Sequence, residues 1–279
     1  MSTPAEQFSE REFVICQIAR LVEDQYIYWV GGGGEPLNSV LLAKRMTAPN
    51  LQYLTEDGVI GPEALVPFDP LMTMISSRAN YRALQWGTMN YAADLAHLGY
   101  VDYGILNTLQ VDRFGNVNST VVGKYAGGEG RRFGGPGGAD SIAALAWRTI
   151  LITDQQKRKF VDRVDFISSP GFLDGPGARE RHGLPPNTGP WRVYTPWARF
   201  GYDKNCQLTL EAIAPYVSVD QVLGEMSFKP VLAATVEVME APTDEELLIL
   251  RTEIDVGGQV TDRGRWVELK DGKYQFAQQ

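Results

Sequence analysis

The sequence is short of the residues that most often announce chemistry. Cys16 and Cys206 are the only two cysteines in 279 residues, too few and too widely spaced for a disulfide framework. The chain starts with the polar Met1-Ser2-Thr3-Pro4 and no secretory leader, so a reducing, cytoplasmic setting is expected. His97 and His182 stand alone, and no metal site is expected from them. No apolar run reaches the length of a membrane-spanning helix, because Gly, Asp or Arg interrupts each one. Basic residues are outnumbered, 26 Lys and Arg against 34 Asp and Glu, for a formal net charge of −8. That balance speaks against a sequence-independent nucleic-acid surface. No serine occupies a Gly-x-Ser-x-Gly elbow, which removes the commonest serine-hydrolase signature.

What the chain does have is hydrophobic content of 44% and 29 glycines, the mark of a folded globular protein with many tight turns. Val14, Ile15, Ile18, Leu21 and Val22 fall on one helical stripe over Ser9 to Glu23, with Ser9 as N-cap. Gln25 to Val30 reads as a strand that runs into Gly31-Gly32-Gly33-Gly34. A helix follows from Pro36 to Met46, then a break at Ala48-Pro49-Asn50 and a strand from Leu51 to Thr55. Two strands joined by a helix make a right-handed unit whose strands end on the same sheet edge. The tetraglycine loop and Glu56 are therefore expected close together, Glu56 at a strand mouth and followed by the turn Asp57-Gly58.

Further along, a helix is expected from Thr88 to Leu98, and a strand at Val101 to Leu106. A hairpin turn is expected at Asp112-Arg113-Phe114-Gly115-Asn116. A second glycine loop, Gly134-Gly135-Pro136-Gly137-Gly138-Ala139, precedes a helix over Ser141 to Trp147, with strands at Thr149 to Thr153 and Val161 to Ser168. The Gly- and Pro-rich loop from Ser169 to Pro190 carries Arg179 and Arg181, either paired with carboxylates such as Asp174 and Glu180 or holding an anionic ligand or partner. A strand at Trp191 to Thr195, a hairpin near Asp203-Lys204-Asn205 and a helix over Thr243 to Ile254 complete the reading. The expectation is one α/β domain over residues 1–257, an open, mostly parallel sheet flanked by helices, and a polar tail over 258–279.

Either glycine loop alone is as well explained by a tight turn as by a phosphate or oxyanion cradle. The first lacks the Gly-Lys-Ser/Thr ending of a P-loop and the third glycine of the dinucleotide fingerprint. A glutamate at a strand mouth beside glycine is a candidate nucleophile, and equally ordinary turn chemistry.

Four stretches in order resemble the family I coenzyme A transferases, closest to the β-type subunit of glutaconate CoA-transferase. Glu56-Asp57-Gly58-Val59-Ile60-Gly61 is similar to that family's Glu-Asn-Gly or Glu-Ser-Gly signature, and Gln110 to Thr120 to its Gln-x-Asp-x-x-Gly-Asn-x-Asn segment. Gly135 to Asp140 resembles its Gly-x-Gly-Gly loop, and Ser169 to Arg181 a run in the β-type subunit. The match extends from about Glu10 to Pro242. Asp57 departs from the pattern, adding a carboxylate beside the nucleophile position, and is expected to turn outward.

The resemblance implies a CoA-transferase-like α/β fold, a partner α subunit, and a CoA thioester as substrate with no tightly bound cofactor. It implies Glu56 as nucleophile, passing through a glutamyl-CoA thioester. Gly138 and Ala139 N–H groups are implied as oxyanion donors, and Gly33, Gly34, Gly135 and Gly137 as pocket lining. Water must be kept from such intermediates, so Pro62 to Pro70 and the Gly171 to Gly189 loop are expected as lids. A CoA-thioester or ring-opening hydrolase on the same scaffold is the alternative. Relatives of that kind lack a glutamate at this position, so Glu56 favours transfer. A non-catalytic subunit is the third reading.

Overall fold

A computed structural model describes residues 3–65, 76–124 and 128–278. Its centre is a ten-stranded sheet. In chain order the strands are β1 (Ile27–Gly31), β2 (Gln52–Leu54), β3 (Val59–Ile60), β4 (Gln85–Trp86), β5 (Tyr103–Asn107), β6 (Arg148–Ile152), β7 (Pro190–Tyr194), β8 (Ala198–Tyr202), β9 (Leu208–Ile213) and β10 (Val231–Val238). Their order in space is β10-β9-β8-β7-β6-β5-β1-β2-β3-β4. The five strands β7, β6, β5, β1 and β2 are parallel, so one edge of the sheet collects all their C-terminal ends. Hairpins then extend the sheet at both sides.

Period-2 alternation divides the core between the two faces. Tyr28, Val30, Tyr53, Tyr103 and Ile105 point to a cluster that includes α1 (Glu10–Ala19) and α2 (Glu35–Met46). Trp29, Leu54 and Leu106 point to the other face, beneath α3 (Met89–His97) and α4 (Ala139–Leu145). Tyr28 and Tyr103, paired in register, stack at 5.0 Å. Helix α1 opens with a capping box: Glu12 N donates to Ser9 Oγ at 3.1 Å and Ser9 N to Glu12 Oε2 at 2.8 Å.

The elements expected from periodicity at Ile27, Pro36, Leu51, Thr88, Val101, Thr149 and Trp191 are present within a few residues of their expected ends. Two readings are corrected. Residues 258–279 are not a plain polar tail: Trp266–Lys270 and Lys273–Phe276 form a three-stranded antiparallel sheet with Gln7–Ser9, and Val267 is buried against the aromatic cluster of Phe8 and Phe13. The polar residues that alternate along these strands face water, which hid the buried face. Val161 to Ser168 is not a strand. Its backbone meets neighbours at isolated points near its two ends, Val161 N to Val111 O at 3.1 Å and Ser168 N to Val117 O at 2.8 Å, and no continuous ladder forms between them. Residues 66–70 of the first expected lid lie outside the described residues.

Candidate functional site

Strand register brings the first two site elements together. Strands β1 and β2 pair as Ile27↔Gln52, Tyr28↔Tyr53 and Trp29↔Leu54. Gly31 and Glu56 each lie two residues past the last of these pairs, at the same end of their strands. Gly31 belongs to the packing: a Cβ there would overlap the Leu106 side chain and meet Ile142 at 3.3 Å. Gly32 and Gly34 take positive φ, +91° and +68°, which glycine adopts without strain. Gly33 lies between them on the same bend, and a Cβ at Gly32 would meet nothing within 4 Å.

The loop is held from below by charges that local sequence reading missed. Glu35, the first residue of α2, pairs with Arg11 at 3.0 Å and accepts from Asn107 Nδ2, at the end of β5, at 3.3 Å. Arg11 also pairs with Asp154 at 2.5 Å, beyond the end of β6. These partners are far apart in sequence, so no local pattern signals them.

Helix α4 brings the second glycine loop to the same edge. It connects the parallel strands β5 and β6, so it runs antiparallel to them. Ala146 lies 3.5 Å from a Cβ at Gly104, and Ile142 reaches forward to Gly31. The N-terminal end of α4, with Gly138 and Ala139, therefore lies beyond Gly31 on the C-terminal edge. Cβ atoms at Gly134, Gly135, Gly137 and Gly138 would all meet open space. Ala139 N already donates to Pro136 O at 3.0 Å. Among the described residues Gly138 N makes no such bond.

Glu56 occupies a four-residue turn closed by Gly58 N to Thr55 O at 3.1 Å and Thr55 N to Val59 O at 2.9 Å. Its neighbours on both sides are engaged. The Thr55 hydroxyl donates to Asp57, and Asn80 Nδ2 donates to the other Asp57 oxygen at 2.8 Å. Asp57 is thus turned into the protein rather than outward. Glu56 is half-buried and, among the described residues, makes no hydrogen bond or ion pair. Burial first, and the Asp57 charge second, push its pKa above the ordinary glutamate value.

The Gln110 to Thr120 segment is scaffold. Asn118 bridges Gln110 and Val121, and backbone bonds from Gly135 N to Ser119 O and from Phe133 N to Thr120 O suspend the second glycine loop. At the other end Asn116 receives Gly171 N and Leu173 N, both at 3.0 Å, and donates to Asp112 and Leu173 O. Gly115 here packs against Pro190, at the start of β7. The Ser169 to Pro190 loop accordingly lies at the sheet edge opposite Glu56, and its expected role as a lid over Glu56 is not met.

Arg179 has no carboxylate partner among the described residues. Its guanidinium is buried and donates to Pro170 O, Gly171 O, Ala143 O, Ala144 O and Thr188 Oγ1 at 2.8–3.2 Å. Burial lowers its pKa to about 10. Arg181 donates to Pro176 O at 3.3 Å, and Asp174 pairs with Arg163, so the expected pairing with Asp174 and Glu180 does not form. A cavity of about 380 Å³ lined by Trp147, Arg148, Arg179 and Trp191 also lies at this far edge. His97 ends α3, His182 follows a short helical turn, and Cys16 and Cys206 are free thiols. Among the described residues no helix is long and apolar enough to cross a membrane.

Fold and site together define an α/β protein that sets two stretches of open glycine backbone, and a carboxylate unpartnered among the described residues, along one sheet edge, equipment for nucleophilic work on a carbonyl. The chain belongs to the coenzyme A transferase family, whose model matches residues 15–225. It is 31% identical to one of the subunits of the glutaconate CoA-transferase of Acidaminococcus fermentans over 257 residues, 90% of this chain and 94% of that one. Identity to the corresponding subunit of the 3-oxoadipate CoA-transferase of Pseudomonas knackmussii is also 31%, over 88% of this chain and 92% of the other. The crystal structure of the Acidaminococcus glutaconate CoA-transferase matches with a TM-score of 0.81 at 29% identity, covering 91% of this chain and 97% of that chain. The family and fold expected from the four motifs are thereby shown.

Proposed function

We propose that this chain is the β subunit of a two-subunit enzyme that moves CoA between an acyl-CoA and a carboxylic acid, with Glu56 as nucleophile. The observation that carries this reading is the Glu56 carboxylate itself, half-buried, without a partner among the described residues, and on the same edge as both glycine loops. Both relatives at 31% identity are named as one subunit of a CoA-transferase, which supports a partner α subunit for this chain.

The carboxylate attacks the thioester carbonyl, giving a mixed anhydride and CoA thiolate. The thiolate then attacks the glutamyl carbonyl, releasing the first acid and leaving CoA as a thioester on Glu56. The acceptor carboxylate displaces CoA to form a second anhydride, and the thiolate attacks its acyl carbonyl, so the new acyl-CoA leaves and Glu56 is restored. Gly138 N–H supports the tetrahedral oxyanions, and loss of one such donor typically costs about 2.7–4 kcal/mol. Gly33 and Gly34 line the opposite wall, Gly135 and Gly137 the near one. Burial of Glu56 works against its ionisation but sharpens it as a nucleophile once charged and stripped of water.

The test uses the complex with its partner subunit. Incubation with an acyl-CoA followed by hydroxylamine converts a glutamyl thioester to a hydroxamate, located at Glu56 by mass spectrometry. Turnover that leaves no adduct and survives Glu56→Ala would sink the reading. Release of free CoA without an acceptor acid would favour the hydrolase instead.

A further inference from the structure

We propose that Asp57 is a positioning residue, whose carboxylate clamps the turn that presents Glu56 to the segment carrying Asn80. The inference rests on Glu56 being the nucleophile.

Three observations carry it. Both Asp57 oxygens are engaged, one by the Thr55 hydroxyl and the other by Asn80 Nδ2 at 2.8 Å. The two donors, Thr55 and Asn80, are buried, 0% and 2% exposed, so packing fixes both ends that hold Asp57. Thr55 Oγ1 also accepts from Val59 N at 3.2 Å, which links the clamp to the closing strand of the hairpin. The residues before and after Glu56 are thus fixed through their side chains, while Glu56 has no partner to hold its own. Its direction is set by the turn alone.

The anchor on the far side is equally built. Asn80 N donates to Ser76 O at 3.1 Å, and bonds from Glu63 N to Tyr81 O and from Leu65 N to Arg78 O, both 2.8 Å, tie this segment to the chain that leaves β3. The hairpin tip and the 76–81 segment are joined side chain to side chain by Asp57 and Asn80. With both oxygens engaged, Asp57 acts by holding geometry.

The test measures formation of the Glu56 adduct in the full complex for wild type, Asp57→Ala, Asp57→Asn, Asn80→Ala and the double variant Asp57→Ala/Asn80→Ala. Absence of an adduct in wild type overturns the nucleophile assignment and this proposal with it. Given a wild-type adduct, Asp57→Ala and Asn80→Ala should each slow its formation about 100-fold, the cost of misplacing a reacting group by about 1 Å, with KM for acyl-CoA unchanged. The double variant should be no slower than either single one, because each removes the same link. Asp57→Asn can accept from Asn80 and donate to Thr55, so it should recover most of the rate. A wild-type rate in Asp57→Ala, losses that multiply in the double variant, or an Asp57→Asn rate as low as that of Asp57→Ala would each overturn the clamp while leaving Glu56 as nucleophile. Should Asp57→Ala fail to fold, Asn80→Ala and Asp57→Asn decide the matter: the first slow and the second fast supports the clamp, and any other pairing overturns it.

Discussion

Gly58 lies directly against the backbone of Thr88: a Cβ on Gly58 would overlap the Thr88 carbonyl and stand 3.0 Å from its amide nitrogen. Gly87 N completes the contact by donating to Gly58 O at 3.0 Å. The φ of Gly58 is +92°, a region that side chains resist. Gly58→Ala should therefore destabilise the protein by about 3 kcal/mol, from left-handed strain together with backbone overlap, as read by urea denaturation. Adduct formation on Glu56 should fall with it, and wild-type stability would contradict this packing.

The rate of glutamyl adduct formation should fall at a higher pH than an ordinary glutamate would give. The reactive form is the carboxylate, and burial and then Asp57 raise its pKa. As pH drops through that raised value the nucleophile is protonated and the rate is lost. Asp57→Asn removes the second cause and leaves the first, so its acid limb should move to lower pH without reaching that of a free glutamate. An unmoved limb in single-turnover measurements would show that the Asp57 charge does not reach Glu56.

The same burial should make Glu56 a stability liability. A carboxylate whose folded pKa lies above its unfolded value disfavours the folded state once ionised, so the penalty is absent below the unfolded pKa and present at neutral pH and above. Glu56→Gln should raise the melting temperature at pH 8 and have little effect near pH 4, while abolishing adduct formation. A lower melting temperature at pH 8 would count against an unpartnered carboxylate.

Asn116→Ala should loosen two loops together. It strips partners from Asp112, Gly171 N and Leu173 N, all beneath the surface, and each group left unsatisfied costs about 1–3 kcal/mol. Limited proteolysis should open the chain within 169–174, and an unchanged digestion pattern would argue against the clamp.

Arg179→Lys should behave like a deletion. The guanidinium reaches Ala143 and Ala144 at the end of α4 with the same nitrogen that meets Thr188, and the Pro170 and Gly171 carbonyls with the other. A lysine ammonium has no planar fork to span both sides. A loss of about 3 kcal/mol is expected by chemical denaturation, with little change in KM because the site is at the opposite sheet edge. A selective rise in KM would instead make Arg179 a ligand residue.

Much of the scaffold was legible because its signals are local. Glycine runs between periodic segments, Ser9 before a helical stripe and proline at the start of α2 each act within a few residues, and they located β1, α1, α2 and β2. The right-handed crossover then required Glu56 and the tetraglycine loop to share an edge. The strand expected at Val161 failed because a strand needs a continuous ladder, and this segment meets the Val111 and Val117 backbone only near its ends, a property of the fold and not of the segment. The same holds for the pair Trp266–Lys270 and Lys273–Phe276, whose polar outer faces mask a buried Val267.

By itself the sequence determined the nucleophile candidate, the two glycine loops and the edge that the first of them shares with Glu56, since these follow from residue type, spacing and chain handedness. Only the tertiary structure decided what surrounds them. Asn80 on Asp57, Arg11 on Glu35 and the Ala143 and Ala144 carbonyls on Arg179 are polar contacts between segments far apart in the chain. Such bonds depend on where the backbone brings distant segments, and they leave no periodicity in the chain. Asp57 shows the difference most plainly: the sequence placed a second carboxylate beside Glu56, and the fold turned it into Thr55 and Asn80, because the packed chain supplies buried donors there that need an acceptor.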